Sequence, residues 1–471
     1  YAFVFYLILL GAFILMVTKW RSYRFAKERA KLEKIINERT EELVKQKERS
    51  EELVSNLLPK ETADEIISKG KADSKRYDLT TVMFADFQEF TKITESLNPE
   101  TLISDLDKIF LHFDSIVEKY GIEKIKTMGD AYMCAGGIPE KNCTNPVEIV
   151  LAAIEMQQHL NALHGELHEA NKNWNMRIGI HTGPVIAGVV GSKKFSYDIW
   201  GDTVNIASRM ETSGMPGKIN ISSKTHEHIK EFFICEPRGK LPVKYKGDID
   251  MFFITGIKPE LSINNNGETP SPEFFIKLQL VRYSDLEEML FSKLEKGLPK
   301  NLYYHNFKHT VDVTAQVEIL GRYESISEAE MLILKTAALF HDSGFMIGYD
   351  DHELLGMKLA RETLPQYKYT PNQIQAVCDL IYATKFPPQP KNLLEQIICD
   401  ADLDYLGRHD FIPNSQNLFR ELYERNKIKT MEEWNKIQIK FLEGHQFFTE
   451  SARKLRDVNK NKQLEELKKM I

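Results

Sequence analysis

The stretch Ile122-Glu-Lys-Ile-Lys-Thr-Met-Gly-Asp-Ala-Tyr-Met133 decides the fold class of the central part of this chain. It reads as two strands joined by a tight turn at Met128-Gly129, with Asp130 just beyond the turn. Upstream, Thr80-Thr-Val-Met-Phe-Ala85 is an apolar run with the length of a buried strand, and Asp86 stands at its C-terminal end. Carboxylates held on neighbouring strand ends can bridge two divalent cations, the arrangement that two-metal phosphoryl chemistry requires. Either Asp taken alone reads equally as a turn or cap residue.

Working outward, Met176-Arg-Ile-Gly-Ile-His-Thr-Gly183 is a further strand, with a hairpin expected at Gly188 to Gly191. Gly201-Asp202 reads as a helix start with a good N-cap. Asn205 and Arg209 lie four apart and share one face of that helix. Facing a metal–carboxylate site, an Asn and an Arg could orient and neutralise a pentacovalent phosphate. Singly, each is more often a surface amide or a surface ion pair.

Four segments carry a family resemblance: Phe84-Ala-Asp-Phe87, Lys126-Thr-Met-Gly-Asp-Ala-Tyr-Met133, Arg177-Ile-Gly-Ile-His-Thr-Gly183 and Tyr197-Asp-Ile-Trp-Gly-Asp-Thr-Val-Asn-Ile-Ala-Ser-Arg-Met210. In order and spacing they resemble the signature set of class III adenylate/guanylate cyclases. The resemblance implies a ferredoxin-like α+β domain over residues 75–258, with a central antiparallel sheet flanked by helices. It implies metal binding by Asp86 and Asp130, joined by the Phe87 carbonyl, with two Mg²⁺ or Mn²⁺ as cofactors. Lys126 and Asp198 match the pair that reads the adenine edge, where guanine-selective relatives have Glu and Cys. Adenine offers an N6 donor to a carboxylate and an N1 acceptor to an ammonium, and guanine presents the reverse. Asn205 and Arg209 match the transition-state pair. Arg177 and Lys244 match positions that contact the β- and γ-phosphates, although Val243-Lys-Tyr-Lys-Gly247 departs from the usual small residue between the lysines, which makes Lys246 the fallback. In the family the metal aspartates and the Asn/Arg helix of one site come from different subunits. Each element occurs once here, which implies a homodimer with two equivalent sites. The implied reaction turns ATP into cyclic AMP and pyrophosphate.

The C-terminal half reads as mostly helical from 273 to 460. It contains Tyr304-His-Asn-Phe-Lys-His309, Phe340-His-Asp342, His352-Glu353 and Cys399-Asp-Ala-Asp-Leu403. His305 and His309 are spaced for one helix face. His309, His341, Asp342 and Asp402 form a donor set suited to one or two Zn, Fe, Mn or Mg ions. A lone His is more often a satisfied core residue than a ligand; this many donors in one order changes that balance. The order resembles the HD superfamily of metal-dependent phosphohydrolases, and the HNxxH stretch resembles that of cyclic-nucleotide phosphodiesterases. The resemblance implies an all-α domain, His305 as general acid, and His352 as a ligand to a second metal. The Gly-Tyr-Pro signature of cyclic-di-GMP hydrolases is absent, and an aromatic purine pocket cannot be recognised from the sequence. Two readings stand here: a phosphodiesterase acting on the cyclase product or another nucleotide, and a regulatory module that senses a nucleotide or metal.

The remaining segments supply context. Residues 1–18 are uncharged and apolar through Val17, about 25 Å as a helix against a hydrocarbon core of about 30 Å. With Tyr rather than Met in first position, this reads as a clipped transmembrane helix. Lys19, Arg21 and Arg24, with Trp20 and Tyr23, make a basic, aromatic edge, so the domains that follow are expected in the cytoplasm. Residues 19–69 read as a long signalling helix with a weak heptad seam (Leu32, Ile36, Leu43, Leu53, Leu57), which suits a marginal parallel coiled coil or a solvated single helix. A break is expected at Ser55 to Lys60, and residues 259–272 read as a flexible linker. The formal net charge is −6, which gives no field for nucleic acid. The five cysteines show no metal spacing and suit a reducing compartment.

Overall fold

The computed structural model describes residues 2–55, 58–88, 90, 98–166, 175–191, 195–243 and 247–469. The apolar N-terminus and the charged segment after it form one continuous helix, α1 (Ala2–Ser55), exposed in its described side chains as far as Ser50, with Val54 packed on the core that contains Ala63. Among the described residues this is one helix long and apolar enough to cross a membrane. Pro59 stops it, and α2 (Lys60–Lys69) follows, ending on Gly70 in the left-handed region. The break therefore falls where the sequence placed it. Leu57 lies outside the described residues, as does the side chain of Leu53.

The central unit is a sheet with helices packed on it. Its strands are β1 (Lys75–Phe87), β2 (Glu123–Met128), β3 (Ala131–Gly136), β4 (Met176–Val190), β5 (Ser196–Trp200), β6 (Ile219–Ser222), β7 (Phe233–Val243) and β8 (Gly247–Ile257). The order is β2-β3-β1-β4-β6-β8-β7, and β5 pairs with the far end of β4. Pairings are antiparallel except β4 with β6. Alternation along β1 sends Met83, Ala85 and Phe87 to one core and Val82 and Phe84 to the other, so both faces of the strand are buried. The helices α3 (Pro99–Tyr120) and α4 (Asn145–Glu166) supply Phe113, Ile149 and Met156 to the first core, and Ala63 of α2 packs in the second. The helix α5 (Asp202–Thr212) buries Ile206, Ala207 and Met210.

Three local expectations are corrected. First, β4 runs unbroken through Gly188 to Val190, so the hairpin turns after Val190 and not at Gly188. Second, the cap of α5 carries no side-chain hydrogen bond: it is Gly201, at φ 140, and Asp202 is the first helical residue, where its charge faces the helix dipole. Third, residues 259–272 are folded. Ile257 N–H donates to Gly267 O at 2.7 Å and Ser271 N–H to Leu261 O at 2.9 Å, and Leu261 is buried in the sheet core. One buried leucine anchors a segment whose composition reads as a spacer.

The C-terminal unit is helical: α6 (Ser223–Ile229) still belongs to the sheet domain, and then come α7 (Pro272–Gly297), α8 (Phe307–Tyr323), α9 (Glu328–Phe340), α10 (His352–Thr363), α11 (Pro371–Ala383), α12 (Leu393–Asp402), α13 (Phe411–Glu424), α14 (Met431–Gly444) and α15 (Glu450–Lys468). The helix α7 belongs to both units. Its Phe274 and Leu278 lie in the sheet core, while Tyr283, Leu286, Leu290 and Leu294 lie in the helical core. Between them Arg282 Nη2 meets Glu148 Oε1 of α4 at 2.7 Å, both largely buried, and Cys143 N–H donates to Asp285 at 2.9 Å.

Candidate functional site

Two sites emerge, one in each unit. In the sheet domain, Asp86 faces Arg177 across the β1–β4 register. The Arg177 guanidinium Nη2 lies 3.0 Å from Asp86 Oδ2 and 2.9 Å from Glu211 Oε1. Asp130 follows a turn that needs the left-handed φ of 65 at Gly129, and its carboxyl reaches Asp86. Burial, reinforced by the Asp86 carboxylate, raises the Asp130 pKa above the ordinary Asp value. Two adjoining carboxylates with one of them pushed toward its neutral form are a donor set that a divalent cation relieves, so these residues fit the metal pair. The Phe87 side chain is buried in the core, which leaves only its backbone for the site.

Lys126 of β2 and Asp198 of β5 are 72 residues apart, and the structure joins them: Lys126 Nζ lies 2.6 Å from Asp198 Oδ2. The Ile199 N–H donates to the other oxygen, Asp198 Oδ1, at 2.9 Å and fixes the carboxylate. Asn205 and Arg209 are exposed on the outer face of α5. Among the described residues, no hydrogen bond or ion pair ties either of them to Asp86 or Asp130 of the same chain. Lys244 and Lys246 lie outside the described residues.

In the helical unit, His309, His341 and Asp402 bring one donor atom each within 4.8 Å of one another. His309 Nε2 is 3.0 Å from Asp402 Oδ1 and 3.4 Å from His341 Nε2. Asp342 Oδ2 lies 3.5 Å from His309 and 3.3 Å from His341, yet it is buried with no hydrogen-bond partner among the described residues. An orphaned carboxylate oxygen beside two imidazoles and a second carboxylate fits a metal ion. The other oxygen, Asp342 Oδ1, faces His352 Nε2 at 3.6 Å, and Glu353 Oε1 is 3.6 Å from the same nitrogen, so Asp342 stands between two donor groups. Burial opposes the His341 cation, but Asp342 and Asp402 outweigh it and the pKa is pushed up to about 9. The same histidines hold Asp342 well below the usual carboxylate range against the cost of burial.

His305 is not on a helix face with His309. Asn306 caps α8 by accepting from His309 N–H at 3.2 Å, and His305 precedes that cap. A cap turn brings the two rings to 5.9 Å, where the spacing suggested a helical turn. His305 Nδ1 lies 2.7 Å from Oε1 of Glu421, a fully buried residue whose Oε2 accepts the N–H groups of Tyr304 and His305. Burial lowers the His305 pKa, and Glu421 with Asp342 and Asp402 more than reverses this, so the ring is held above its ordinary value.

A cavity of about 1000 Å³ is lined by Asp342, Asp402 and His305 and by the aromatic side chains of Phe386, Trp434 and Phe441. At its wall, Gln438 Oε1 accepts from Ser415 at 2.5 Å, while its buried Nε2 has no partner among the described residues. His445 also lines the cavity; neither ring nitrogen has a partner among the described residues, and burial with the Lys460 cation lowers its pKa to about 4. Sequence reading missed Glu211, Glu421, Gln438 and His445. Glu211 ends the stretch from Ser196 that carries Asn205 and Arg209 but has no role there by residue type, the other three stand in no motif, and only the packing reveals all four.

Comparison with known proteins agrees with this division. The family described as adenylate and guanylate cyclase catalytic domain matches residues 72–256, and the HD domain family matches residues 306–404. An adenylate cyclase of Mycobacterium bovis is 36% identical over 213 residues, covering 45% of this chain and 47% of the relative. The receptor-type guanylate cyclase Gyc76C of Drosophila melanogaster is 36% identical over 270 residues, covering 56% of this chain and 17% of the relative. The chain thus spans less than half the length of either. Among solved structures, the adenylyl cyclase CyaB of P. aeruginosa aligns with 29% identity over 39% of this chain and 96% of that one, at a TM-score of 0.38. The catalytic core of a rhodopsin-guanylyl cyclase with converted specificity, in complex with ATPalphaS, aligns with 34% identity over 39% of this chain and 98% of that one, at a TM-score of 0.36. By the two family matches, the sheet domain is a class III adenylate/guanylate cyclase domain over residues 72–256, and the helical unit that follows it carries an HD domain over residues 306–404.

Proposed function

We propose that the cyclase domain converts ATP to cyclic AMP and pyrophosphate as a homodimer, and that the HD domain hydrolyses a phosphoester, with a cyclic nucleotide as the best-supported substrate class. The observation that carries the base preference is the contact between Lys126 and Asp198. An ammonium and a carboxylate side by side match an N1 acceptor beside an N6 donor. Guanine would place like against like at both positions, and each mispaired charged group costs about 1.5–3 kcal/mol.

The exposed Asn205 and Arg209 suit a site completed across a dimer interface: a bare Asn/Arg face on one subunit would cover the aspartates of the other. There Arg209 neutralises charge developing on the α-phosphate while Asn205 orients the ribose, and Arg177 contacts the leaving pyrophosphate. Lys244 is retained as the further phosphate contact. Two divalent cations at Asp86 and Asp130, with the Phe87 carbonyl, would supply charge neutralisation and favour ionisation of the 3′-hydroxyl. In the HD domain, metal at His309, His341, Asp342 and Asp402, with His352 beside a second position, would supply Lewis acidity. His305, kept protonated by Glu421, gives its proton to the leaving ribose oxygen. The apolar cavity with the unpaired Gln438 amide is of a size and character for a nucleoside, which supports a nucleotide over a simple phosphoester. The apolar helix α1 would anchor the dimer in a membrane, with its charged C-terminal part pairing as a coiled coil and the catalytic domains in the cytoplasm.

One time course tests both halves. The chain is incubated with ATP or GTP and Mg²⁺ or Mn²⁺, and cyclic nucleotide is followed. Accumulation of cyclic AMP in preference to cyclic GMP is expected, and Lys126→Glu with Asp198→Cys is expected to turn the preference toward GTP. A wild-type preference for GTP defeats the base-reading argument. A later decline of cyclic AMP that disappears in His341→Ala/Asp342→Asn marks HD hydrolysis; no decline at all favours the regulatory reading of that domain.

A further inference from the structure

Helix α5 meets two different sites. Asn205 and Arg209 look outward, whereas Glu211, at its last turn, is buried and points back into the chain's own metal site. One nitrogen of Arg177, Nη2, hydrogen-bonds Asp86 Oδ2 at 3.0 Å and lies 2.9 Å from Glu211 Oε1, a buried oxygen with no hydrogen bond of its own among the described residues. The Arg177 Nε is buried with no hydrogen-bond partner among the described residues, so the guanidinium keeps donor capacity that the protein does not use. The position of Glu211 is fixed by its backbone. A Cβ on Gly179 of β4 would lie 1.9 Å from Glu211 N, and one on Gly214 would lie 2.7 Å from Glu211 O. Asn220 adds a hydrogen bond to the Met210 carbonyl at 2.7 Å. Two glycines and a buried amide thus let the end of this helix lie directly on the strand that carries Arg177.

We propose that Glu211 is a positioning residue that offers the Arg177 guanidinium a second carboxylate, so that Arg177 can leave Asp86 when divalent cations load and turn its remaining donors to the triphosphate. This deepens the reading of Asp86 and Asp130 as metal ligands and rests on it. The physical reason is competition. A guanidinium and a metal ion both seek the Asp86 carboxylate. With Glu211 in place, Arg177 has a second carboxylate 2.9 Å away, one that burial pushes up to about 7 and the guanidinium draws toward its charged form, and it gives up Asp86 at less cost. Without it, Asp86 is the only carboxylate left within ion-pair distance of Arg177 among the described residues, and the cation must displace it.

The test is a Mn²⁺ titration of the full chain by electron paramagnetic resonance, taking the cyclase site as the difference from an Asp86→Asn chain. The Mg²⁺ dependence of turnover is measured alongside. Glu211→Gln is expected to weaken Mn²⁺ binding about fivefold and to raise the Mg²⁺ requirement in parallel, while kcat at saturating metal stays within about twofold of wild type. Glu211→Asp, which keeps the charge, is expected to bind Mn²⁺ within about twofold of wild type. Arg177→Met combined with Glu211→Gln is expected to regain wild-type Mn²⁺ affinity, because the competitor is gone. Wild-type affinity in Glu211→Gln overturns the proposal, and so does a double variant as weak as Glu211→Gln alone. A loss shared equally by Glu211→Asp marks a packing defect and overturns it too. If Asp86→Asn itself binds Mn²⁺ like wild type, the underlying metal-site reading fails instead.

Discussion

Replacing Phe274 with alanine should unfold the cyclase domain preferentially, although Phe274 stands on the helix that leads into the HD domain. The ring is fully buried, with centroids 5.1 Å from Phe232 and 5.8 Å from Phe233. Truncating a buried Phe to Ala costs about 3–5 kcal/mol, a range that already contains the loss of two aromatic contacts worth about 0.5–1.5 kcal/mol each. Taking about 4 kcal/mol, the opening equilibrium of the cyclase core shifts by about a thousandfold. Hydrogen exchange read by mass spectrometry reports this regionally. Exchange in β1, β4 and β6 should accelerate by up to that factor. Exchange in α9, which packs against α7, and in α12 of the same helical core as Leu286, Leu290 and Leu294 should change less than about tenfold. Acceleration confined to the HD helices, or unchanged protection in the cyclase strands, would refute the assignment of the first turns of α7 to the cyclase core.

Two further outcomes are expected. Burial raises the Glu123 carboxyl from 4.5 to about 7, so wild-type stability falls as pH rises from about 4.5 through 7 and then levels. Glu123→Gln should therefore match wild type near pH 4 and exceed it by about 1–3 kcal/mol at pH 8 in denaturant titrations; a difference that does not grow with pH would count against the burial argument. In the HD domain, Glu421→Gln keeps acceptors for the Tyr304 and His305 amides but removes the charge that holds His305 protonated. The alkaline limb of the hydrolysis profile should move to lower pH, and an unmoved limb would remove His305 from the role of acid.

The sequence alone determined what depends on residue type and local spacing. Asp86, Asp130, Lys126, Asp198, Asn205 and Arg209 stand in short motifs whose strand and turn context is local, so a candidate site and the α+β class could be read together. The candidate donors His309, His341, Asp342 and Asp402, which the structure brings together, were legible for the same reason, and so was the break at Pro59. Tertiary structure decided what depends on contacts between distant segments. The Arg177–Asp86 hydrogen bond spans 91 residues and the His305–Glu421 hydrogen bond 116, and no periodicity encodes such partners. Glu211, Glu421 and Gln438 look like ordinary polar positions until packing strips them of water and leaves each with one buried task. Composition likewise described residues 259–272 as a spacer, because asparagines and prolines favour turns. Only the burial of Leu261, Phe274 and Leu278 in the sheet core makes that turn-rich stretch a fixed joint, with α7 as one helix owned by two domains.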